Sequence, residues 1–355
     1  MTYTIAVMEG DGIGPEIVPE AVRVARAALA AAEAPGVEFV PVPLGMAAFT
    51  RLGHTLPPGT LERLAETDGF VLGPIGHATY PDDERAINPH PIIRRHFDLY
   101  ANHRPARSFS RVPSLHQDVD VLVLRENNEG FQPDRNMMRG SGEFQPNEHN
   151  AFSVRVISRR QSERIAHRAF EAARARRGRV TAIHKRSVFT LTDGLFMDTV
   201  EEVARAYPDV RLDDHQVDTA ALHLTMRPQD YDVVLCTNMY GDILSDLTAG
   251  LVGGLGLAPG LSAGDHWAMA QATHGSAPDI AGRGVADPYA MIASTRMLLE
   301  WLGARHEDAA LTRAAHIMEA ATVETVERGL DVTPDLGGEA STSRMGSAVA
   351  ARCGG

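Results

Sequence analysis

The chain has 355 residues, of which 44% are hydrophobic and 23% charged, and its formal net charge is −12. These values are typical of a globular protein with two domains, and the negative charge argues against nucleic acid or an anionic membrane as a partner. Two cysteines, Cys236 and Cys353, are too few for a disulfide framework, and no apolar run approaches the roughly 18 residues of a membrane span. Since the N-terminus also lacks a signal-peptide pattern, we expect a cytoplasmic protein.

Short runs rich in β-branched residues alternate with amphipathic stretches along the chain. The runs predict strands at Tyr3–Val7, Val37–Pro41, Gly69–Leu72, Val119–Leu124, Val180–Ile183 and Asp232–Cys236. The amphipathic stretches predict helices that include Pro15–Ala32, Gln161–Arg177, Leu195–Ala206 and Asp287–Leu302. This alternation indicates an α/β fold with a largely parallel sheet. The polar stretch Met137–His149 predicts an excursion or arm.

The first predicted strand leads into EGDGIGPE, residues 9–16. A dinucleotide-binding fingerprint needs G-x-G-x-x-G, whereas Gly10, Gly12 and Gly14 give G-x-G-x-G, and no acid ends a second strand about 20 residues later. The pattern therefore favours a tight turn with Pro15 in the first turn of a helix.

A cluster of arginines occupies IIRRHFDLYANHRPARSF, residues 92–109. Planar guanidinium groups suit bidentate binding of carboxylates, and Pro105 favours an extended or turn conformation at Arg104. A solvated basic face is the alternative, while a nucleic-acid patch is disfavoured by the acidic chain.

Two carboxylates stand four residues apart in CTNMYGDILSDLTAG, residues 236–250, where a strand is predicted to run into Gly241 before a helix. Asp242 and Asp246 would share a helix face and repel each other by roughly 0.2–0.5 kcal/mol. Asp242 could cap the helix, but Asp246 could not, and a divalent cation would remove the repulsion. Carboxylate ligands favour Mg²⁺ or Mn²⁺, and Asp218, at the head of another predicted helix, could be a third ligand.

The stretch ATHGSAPDIAGRGVADP, residues 272–288, is dense in Gly, Ser, Ala and Pro. Many exposed backbone N–H groups would suit the phosphates and ribose of a nucleotide. A long surface loop is the alternative interpretation.

Taken in order, eight segments of the chain resemble the β-decarboxylating dehydrogenases, a family that includes the isopropylmalate, isocitrate and homoisocitrate dehydrogenases. The segments are GDGIGPE, LYANHRP, RENNEG, HKRSVFTLTDGLF, VDTAA, NMYGDILSD, HGSAPDIAGRG and TPDLGG. The resemblance implies a two-domain α/β fold with a large mixed sheet, distinct from the classical Rossmann fold. One domain would combine residues 1–100 with 253–355, and the other, residues 101–252, would form a homodimer with shared active sites.

The resemblance also implies NAD- and Mg²⁺- or Mn²⁺-dependent oxidative decarboxylation of a 3-substituted (R)-malate, such as 3-isopropylmalate. Arg94, Arg104 and Arg125 match the arginines that hold the malate carboxylates. Lys185 matches the lysine that takes the hydroxyl proton across the dimer, and Asp218 is assigned with it to catalysis. The metal ligands would be Asp218, from the other subunit, together with Asp242 and Asp246.

For the cofactor, the resemblance implies an adenosine-binding loop at His274, Gly275, Ser276, Ala277, Pro278, Asp279 and Ile280. Asp279 stands where NAD-using members bond the ribose hydroxyls, and an acid there would repel a 2′-phosphate, which favours NAD. Asp287 stands where the family usually has an Asn in contact with the adenine.

Several positions depart from the family pattern. Gln132 replaces the tyrosine that protonates the enolate, and an amide cannot act as a general acid near neutral pH. Ser187 replaces an Asn and Gln271 replaces a Glu. These changes are either ordinary drift or signs of an altered substrate or altered chemistry.

The substituent on the malate stays open at this stage. The resemblance implies that the residues just before Arg94 partly read this substituent. In NPHPII, residues 88–93, Asn88 and His90 are polar, whereas Ile92 and Ile93 are apolar. An isocitrate or homoisocitrate dehydrogenase, a malate- or tartrate-type dehydrogenase with an altered second stage, and a non-catalytic regulatory relative are the alternatives.

Overall fold

The computed structural model describes residues 2–34, 36–131 and 140–354. The strands are β1 Tyr3–Met8, β2 Val37–Pro41, β3 Gly69–Leu72, β4 Ala101–Arg107, β5 Asp120–Glu126, β6 Glu143–Asn147, β7 Asn150–Ser153, β8 Arg179–His184, β9 Arg211–Gln216, β10 Val233–Cys236, β11 Leu261–Ala263 and β12 Ala268–Ala270. The α-helices are α1 Gly14–Ala31, α2 Met46–Leu52, α3 Thr60–Ala65, α4 Pro89–His96, α5 Arg159–Arg174, α6 Thr192–Ala204, α7 Val217–Met226, α8 Asn238–Val252, α9 Tyr289–Arg305, α10 Ala309–Arg328 and α11 Thr342–Cys353.

Within this described part of the chain, ten strands form one mixed sheet in the order β2-β1-β3-β12-β11-β4-β5-β10-β8-β9. The predicted strands and helices are all present, with ends that differ by a few residues. The expectation of a largely parallel sheet holds only for the two flanks. In the middle, β12, β11, β4 and β5 pair antiparallel, so the mixed sheet implied by the family resemblance is confirmed.

The antiparallel strand β4 was not predicted, because its sequence ANHRPAR is polar and contains a proline. Proline is rare inside a sheet since it cannot donate a ladder hydrogen bond. Of the residues of β4, the short strand β11 pairs with Ala101–His103 alone, so Pro105 lies beyond that ladder. The strand therefore tolerates the proline and carries Arg104 in an extended conformation.

Apolar side chains cover both faces of the sheet, because successive residues of a strand point to opposite sides. In β5, Leu122 and Leu124 pack with α5 and α6, whereas Val121 and Val123 pack with α7 and α8. The other half of the sheet is covered by α1, α9, α10 and α11 on one face and by a smaller core on the other. The β11–β4 pairing joins the two halves, and the predicted domain boundaries stay a prediction.

The predicted excursion is a hairpin of β6 and β7 as far as it is described, while residues 137–139 and the predicted site residue Gln132 lie outside the described residues. Its residues are exposed, and Phe144 stacks on Phe152 with ring centroids 5.3 Å apart. None of the described helices is long and apolar enough to cross a membrane.

The helix α8 begins earlier than predicted. It starts at Asn238, directly after β10, so Gly241 lies inside its first turns and Asp242 does not cap it. A side-chain Cβ at Gly241 would lie 2.7 Å from both Cβ and Cγ of Arg125. The absence of a side chain at Gly241 therefore lets β5 lie close against α8.

The end of β5 is held by the carboxyl group of Glu126, which is fully buried and accepts from the backbone N–H groups of Asn128 at 2.7 Å and Glu129 at 2.9 Å. Glu129 in turn accepts from the backbone and hydroxyl of Ser158, the N-cap of α5. Burial, with the nearby Glu129, raises the pKa of Glu126 to about 7. This loop fixes the direction in which Arg125 leaves the strand.

We expect Gly241→Ala to cost about 1–3 kcal/mol of unfolding free energy, because the added methyl group must push Arg125 away from the helix. The matched control is Gly250→Ala in the same helix, where a Cβ meets nothing within 4 Å. That change should be neutral or should stabilise the protein by up to about 1 kcal/mol. Urea denaturation of both variants measures the difference, and equal effects would contradict the close approach.

We also expect the contribution of Glu126 to the free energy of unfolding to fall as the pH rises. A carboxyl group whose pKa is raised on folding stabilises the native state at low pH, and that contribution is lost as the pH rises from its ordinary value of 4.5 through about 7. The loss amounts to roughly 3 kcal/mol as an order of magnitude.

The Glu126→Gln variant should therefore gain stability relative to the wild type between about pH 4 and about pH 8 in denaturant titrations. The exposed Glu62 provides the control variant Glu62→Gln. A constant difference between Glu126→Gln and the wild type at both pH values would show that burial does not raise the pKa of Glu126.

Candidate active site

A cavity of about 350 Å³ lies beside the neighbouring strands β11, β4 and β5. Arginines, an aspartate and polar side chains form much of its wall, and we call it the arginine cleft. Its lining includes His90, Arg94, Asn102, Arg104, Arg125, Asp242, Ser262, Gln271, Thr273 and His274.

The three predicted carboxylate-binding arginines come together in this cleft, each from a different element. Arg94 lies on α4, Arg104 on β4 and Arg125 on β5, and all three are buried. Arg104 donates to Asp242 at 3.0 Å and to Ser245 at 2.7 Å. Arg125 also donates to the Asp242 carboxylate, so one carboxylate oxygen serves two guanidinium groups.

Asp242 and Asp246 face the same side of α8, as their spacing predicts. A nearby arginine, and not only a metal ion, can offset the repulsion between them. Arg104 lies 3.8 Å from Asp246 and 3.0 Å from Asp242. Partial burial raises the pKa of Asp246, an effect that Arg104 opposes and Asp242 increases. The sequence did not indicate these counter-charges because β4 and β5 are distant from α8 along the chain. Since Arg104 partly offsets the repulsion between Asp242 and Asp246, their spacing alone indicates a metal ion less strongly than expected.

Lys185 and Asp218 form a separate pair, with 2.6 Å between Nζ and Oδ1. The hydrogen bond that Lys185 donates to Asp218 holds the pKa of Asp218 below its usual range. The backbone N–H of Lys185 also donates to the buried Asp193, which pairs with Arg155. The buried ion pair of Asp193 and Arg155 therefore holds the backbone at Lys185 in place.

Among the described residues of one chain, no three His, Cys, Asp or Glu side chains are grouped so that they could hold a metal ion. Asp218 therefore does not join Asp242 and Asp246 within a single chain. This arrangement is compatible with the prediction that Asp218 acts across a dimer, which stays a prediction.

The predicted cofactor loop is anchored by the first glycine-rich turn. The backbone N–H of Ile13 donates to the Ser276 carbonyl at 2.9 Å, and Gly12 approaches the Ser276 backbone too closely for any side chain. The Glu16 carboxylate accepts from the backbone N–H groups of Gly282 and Gly284. The interpretation of EGDGIGPE as a tight turn before a helix is confirmed, since α1 begins at Gly14 with Pro15 in its first turn.

Sequence reasoning did not find the roles of Asp11 and Glu16, although both acids flank the glycines. Asp11 accepts from the backbone of Met46 and Gly76 and from the Tyr80 hydroxyl at 2.6 Å. An acid next to a glycine turn is a weak signal of such an anchor, because its partners lie far away in the sequence.

A second cavity, of about 550 Å³, lies beside the arginine cleft and shares His274 and Gly275 with it. We call it the loop cavity. Its walls are mostly apolar, and Asp287 lines it, whereas Asp279 lies exposed on the loop. The further lining residues include Ile13, Leu255, Gly256, Ala277, Ile280, Val285, Ala286 and Asp335.

Three of the departures from the family pattern, Ser187, Gln271 and Asp287, are in the described part of the site. Gln271 accepts from Arg94 at 3.0 Å and contacts His90 through its amide nitrogen. The Ser187 hydroxyl donates to Gln216 at 2.5 Å, next to the Lys185–Asp218 pair. Gln271 thus contacts both His90, which is predicted to read the substituent, and Arg94, which is predicted to bind a substrate carboxylate.

The chain is similar to proteins of one known family. Residues 4–349 match the model of the family described as isocitrate/isopropylmalate dehydrogenase. The isocitrate/homoisocitrate dehydrogenase of Thermus thermophilus is 42% identical over 354 residues, covering 98% of each chain. The 3-isopropylmalate dehydrogenase of Methanothermobacter thermautotrophicus is 38% identical over 347 residues, covering 98% of this chain and 97% of its own.

Solved structures are also similar. The crystal structure of isocitrate dehydrogenase from Methylococcus capsulatus superposes with a TM-score of 0.87 at 38% identity, covering 99% of this chain and all of that one. A family match along nearly the whole chain, close relatives of equal length and a common fold lead to one conclusion. The chain belongs to the isocitrate/isopropylmalate dehydrogenase family.

Proposed function

We propose that the protein catalyses the NAD-dependent, Mg²⁺- or Mn²⁺-dependent oxidative decarboxylation of a 3-substituted (R)-malate. The observation that carries this proposal is the convergence of three buried arginines on a cleft whose rim holds Asp242 and Asp246. Guanidinium forks in a partly desolvated cleft suit a dicarboxylate, and this acidic chain concentrates them there.

The carboxylates on α8 fit a hard divalent cation, because their donor atoms are oxygens only and both side chains are about half exposed at the rim. Asp242, Asp246 and the Asp218 of a second subunit would hold it. A cation held there would supply Lewis-acid stabilisation of the negative charge that develops on the substrate oxygen. Arg94, Arg104 and Arg125 orient the substrate carboxylates, and Lys185 takes the hydroxyl proton.

We propose NAD as the hydride acceptor. The loop cavity is apolar, adjoins the arginine cleft through His274 and Gly275, and suits a flat aromatic base. Asp279 on the exposed loop would accept hydrogen bonds from ribose hydroxyls and disfavour a 2′-phosphate.

We also propose a homodimer with shared active sites, and the separation of the Lys185–Asp218 pair from Asp242 within one chain supports it. Large apolar side chains are exposed near both groups, an arrangement that favours an interface between copies. They include Val188, Leu191, Leu222, Met226 and Ile243, together with Phe144 and Phe152 of the arm.

A malate with a carboxylated substituent, as in isocitrate or homoisocitrate, is the second candidate substrate after 3-isopropylmalate. The specific observation is that His90 and Gln271, in contact with each other beside Arg94, give the cleft a polar wall. A malate- or tartrate-type reaction rests on Gln132, outside the described residues. The presence of Lys185 and the three aspartates disfavours a non-catalytic subunit.

A panel of 3-substituted malates with NAD and Mn²⁺ should give both NADH and CO₂ for at least one member. Lys185→Met should lower the rate by about 10²–10⁴-fold, the usual contribution of a general base. The matched control is Arg186→Met, since Arg186 is an exposed neighbouring cation paired with Glu201. No turnover with any member of the panel would rule out the proposed reaction.

Mixed dimers test the shared active site. Lys185→Met and Asp242→Asn chains should each be inactive alone, whereas co-folding them should restore roughly one quarter of the wild-type activity, because half of the dimers would then carry one intact site. Size-exclusion chromatography confirms that dimers form. Failure of the mixture to regain activity, with dimers present, would place the complete site within one chain.

A further inference from the structure

Lys185 is the only lysine of the chain. Of the 34 Lys and Arg residues in the sequence, the other 33 are Arg. A guanidinium group stays protonated in proteins and can only donate, whereas an amine can release a proton and accept it back. Position 185 therefore keeps a side chain that arginine cannot replace in proton transfer, and the contacts that hold this residue bear directly on the proposed reaction.

The backbone of Lys185 is held on both sides. Its N–H group donates to Oδ2 of Asp193 at 2.5 Å, and its carbonyl oxygen accepts from the N–H groups of Val188 and Phe189 at 2.9 Å each. A hydrogen bond to a carboxylate is about twice as strong as one between neutral groups. With the backbone fixed in this way, the side-chain torsions of Lys185 set the position of Nζ.

Asp193 has its counter-charge in Arg155. The Asp193 carboxyl group is fully buried in the first turn of α6, and Arg155, with 6% of its side chain exposed, donates to Oδ1. Arg155 also donates to the hydroxyl groups of Thr192 at 3.3 Å and of Thr237 at 3.1 Å. A buried carboxylate that loses its charged partner is very costly. The anchor of the lysine backbone therefore depends on one guanidinium group.

Aromatic rings fix the orientation of that guanidinium group. The Cζ atom of Arg155 lies 5.1 Å from the ring centroid of Tyr240 and 5.5 Å from the centroids of Phe131 and Phe189. Aromatic faces attract cations, most strongly where water is excluded. The Tyr240 hydroxyl also donates to Oδ2 of Asp193 at 3.3 Å, the same oxygen that holds the lysine backbone. These contacts confine the guanidinium group to one place.

Resting on the proposed role of Lys185 as the base, we propose that Arg155 is a positioning residue for the reaction, which holds the lysine in place through Asp193. Arg155 is not among the described residues that line the arginine cleft. It therefore acts through the backbone of Lys185 and not by binding the substrate.

Arg155 also ties the lysine to the cleft of its own chain. Its contacts come from the loop after β5, from the turn that carries Lys185 and from the start of α8. Since β5 carries Arg125 and α8 carries Asp242, two elements that form the cleft share this guanidinium group with the lysine turn. In the proposed dimer, where Lys185 serves the other subunit, Arg155 therefore connects two active sites.

The single lysine permits a direct test of the anchor. Full-length protein labelled with α-¹⁵N-lysine should give one backbone amide signal, that of Lys185, in a ¹H–¹⁵N correlation spectrum without substrate, cofactor or metal. In the wild type this amide proton should resonate at low field and exchange slowly with solvent, because it donates to a buried carboxylate. Arg155→Met should move the signal upfield and speed the exchange at least about tenfold, since the anchor then opens locally.

The matched control is Arg176→Met, which also breaks a buried Arg–Asp pair. Arg176 pairs at 2.8 Å with Asp232, whose side chain is 2% exposed. Asp232 precedes β10, whereas Thr237, a partner of Arg155, follows it. Arg176→Met should therefore destabilise the protein and leave the amide signal of the lysine unchanged.

Tyr240→Phe is a second variant, which keeps the test decisive where Arg155→Met does not fold. It removes the hydroxyl that donates to Oδ2 of Asp193 and keeps the ring against the guanidinium group. With one donor fewer on that oxygen, the hydrogen bond from Lys185 should strengthen. Its amide signal should therefore move downfield, opposite to the shift in Arg155→Met.

Kinetics with the substrate panel, NAD and Mn²⁺ test the consequence for catalysis. Arg155→Met should lower kcat by about 10–100-fold, because a catalytic group misplaced by about 1 Å costs about 10²-fold in rate. The KM should change by less than about threefold, since uniform substrate binding is not affected. Arg155→Lys keeps the charge and should recover part of the loss, whereas Arg176→Met should keep the wild-type kcat.

An unchanged Lys185 signal in folded Arg155→Met or in Tyr240→Phe overturns the inference, as does an equal change in Arg176→Met or a wild-type kcat in Arg155→Met. Because the spectra require no turnover, the two proposals fail separately. Turnover of a substituted malate with an unresponsive Lys185 signal refutes the role of Arg155 alone. A responsive signal without turnover of any substituted malate refutes the proposed reaction and leaves Arg155 as the anchor of Lys185.

Discussion

Arg104 and Arg125 share the carboxylate of Asp242, and the geometry of the arginine cleft depends on that shared contact. Buried guanidinium groups need acceptors, since an unpaired buried charge is very costly. The contact ties β4 and β5 to α8, and Gly241 makes it possible by letting the strand approach the helix. Loss of either feature would move the arginines and the aspartate together.

The same contact bears on how the proposed reaction would begin. In this chain Asp242 neutralises two arginines while Asp246 lies beside one of them. A substrate carboxylate would give the arginines a new partner, and the oxygens of Asp242 would then be available to a divalent cation. Substrate and metal would therefore each favour the binding of the other, because each satisfies the charges that the other displaces.

Much of the architecture followed from local pattern, whereas the counter-charges did not. Buried strands such as β1 and β10 are continuous apolar runs, and α5 has an amphipathic repeat, so both types were predictable. The polar strand β4 and the three-residue strands β11 and β12 carry too little periodicity to be found. The shared face of Asp242 and Asp246 followed from helical spacing, but Arg104 reaches them only through the tertiary fold. Gln132, the sharpest departure from the family pattern, is untested because it lies outside the described residues.

Gln271, which stands where the family usually has an acid, contacts both Arg94 and His90. A guanidinium group can only donate, so Arg94 must face the amide oxygen of Gln271, and the amide nitrogen must then face His90. A glutamate at position 271 could only accept hydrogen bonds, whereas the amide of Gln271 offers an acceptor to Arg94 and a nitrogen to His90. The contact of Gln271 with His90 thus links the departure at position 271 to the polar residue predicted to read the substituent.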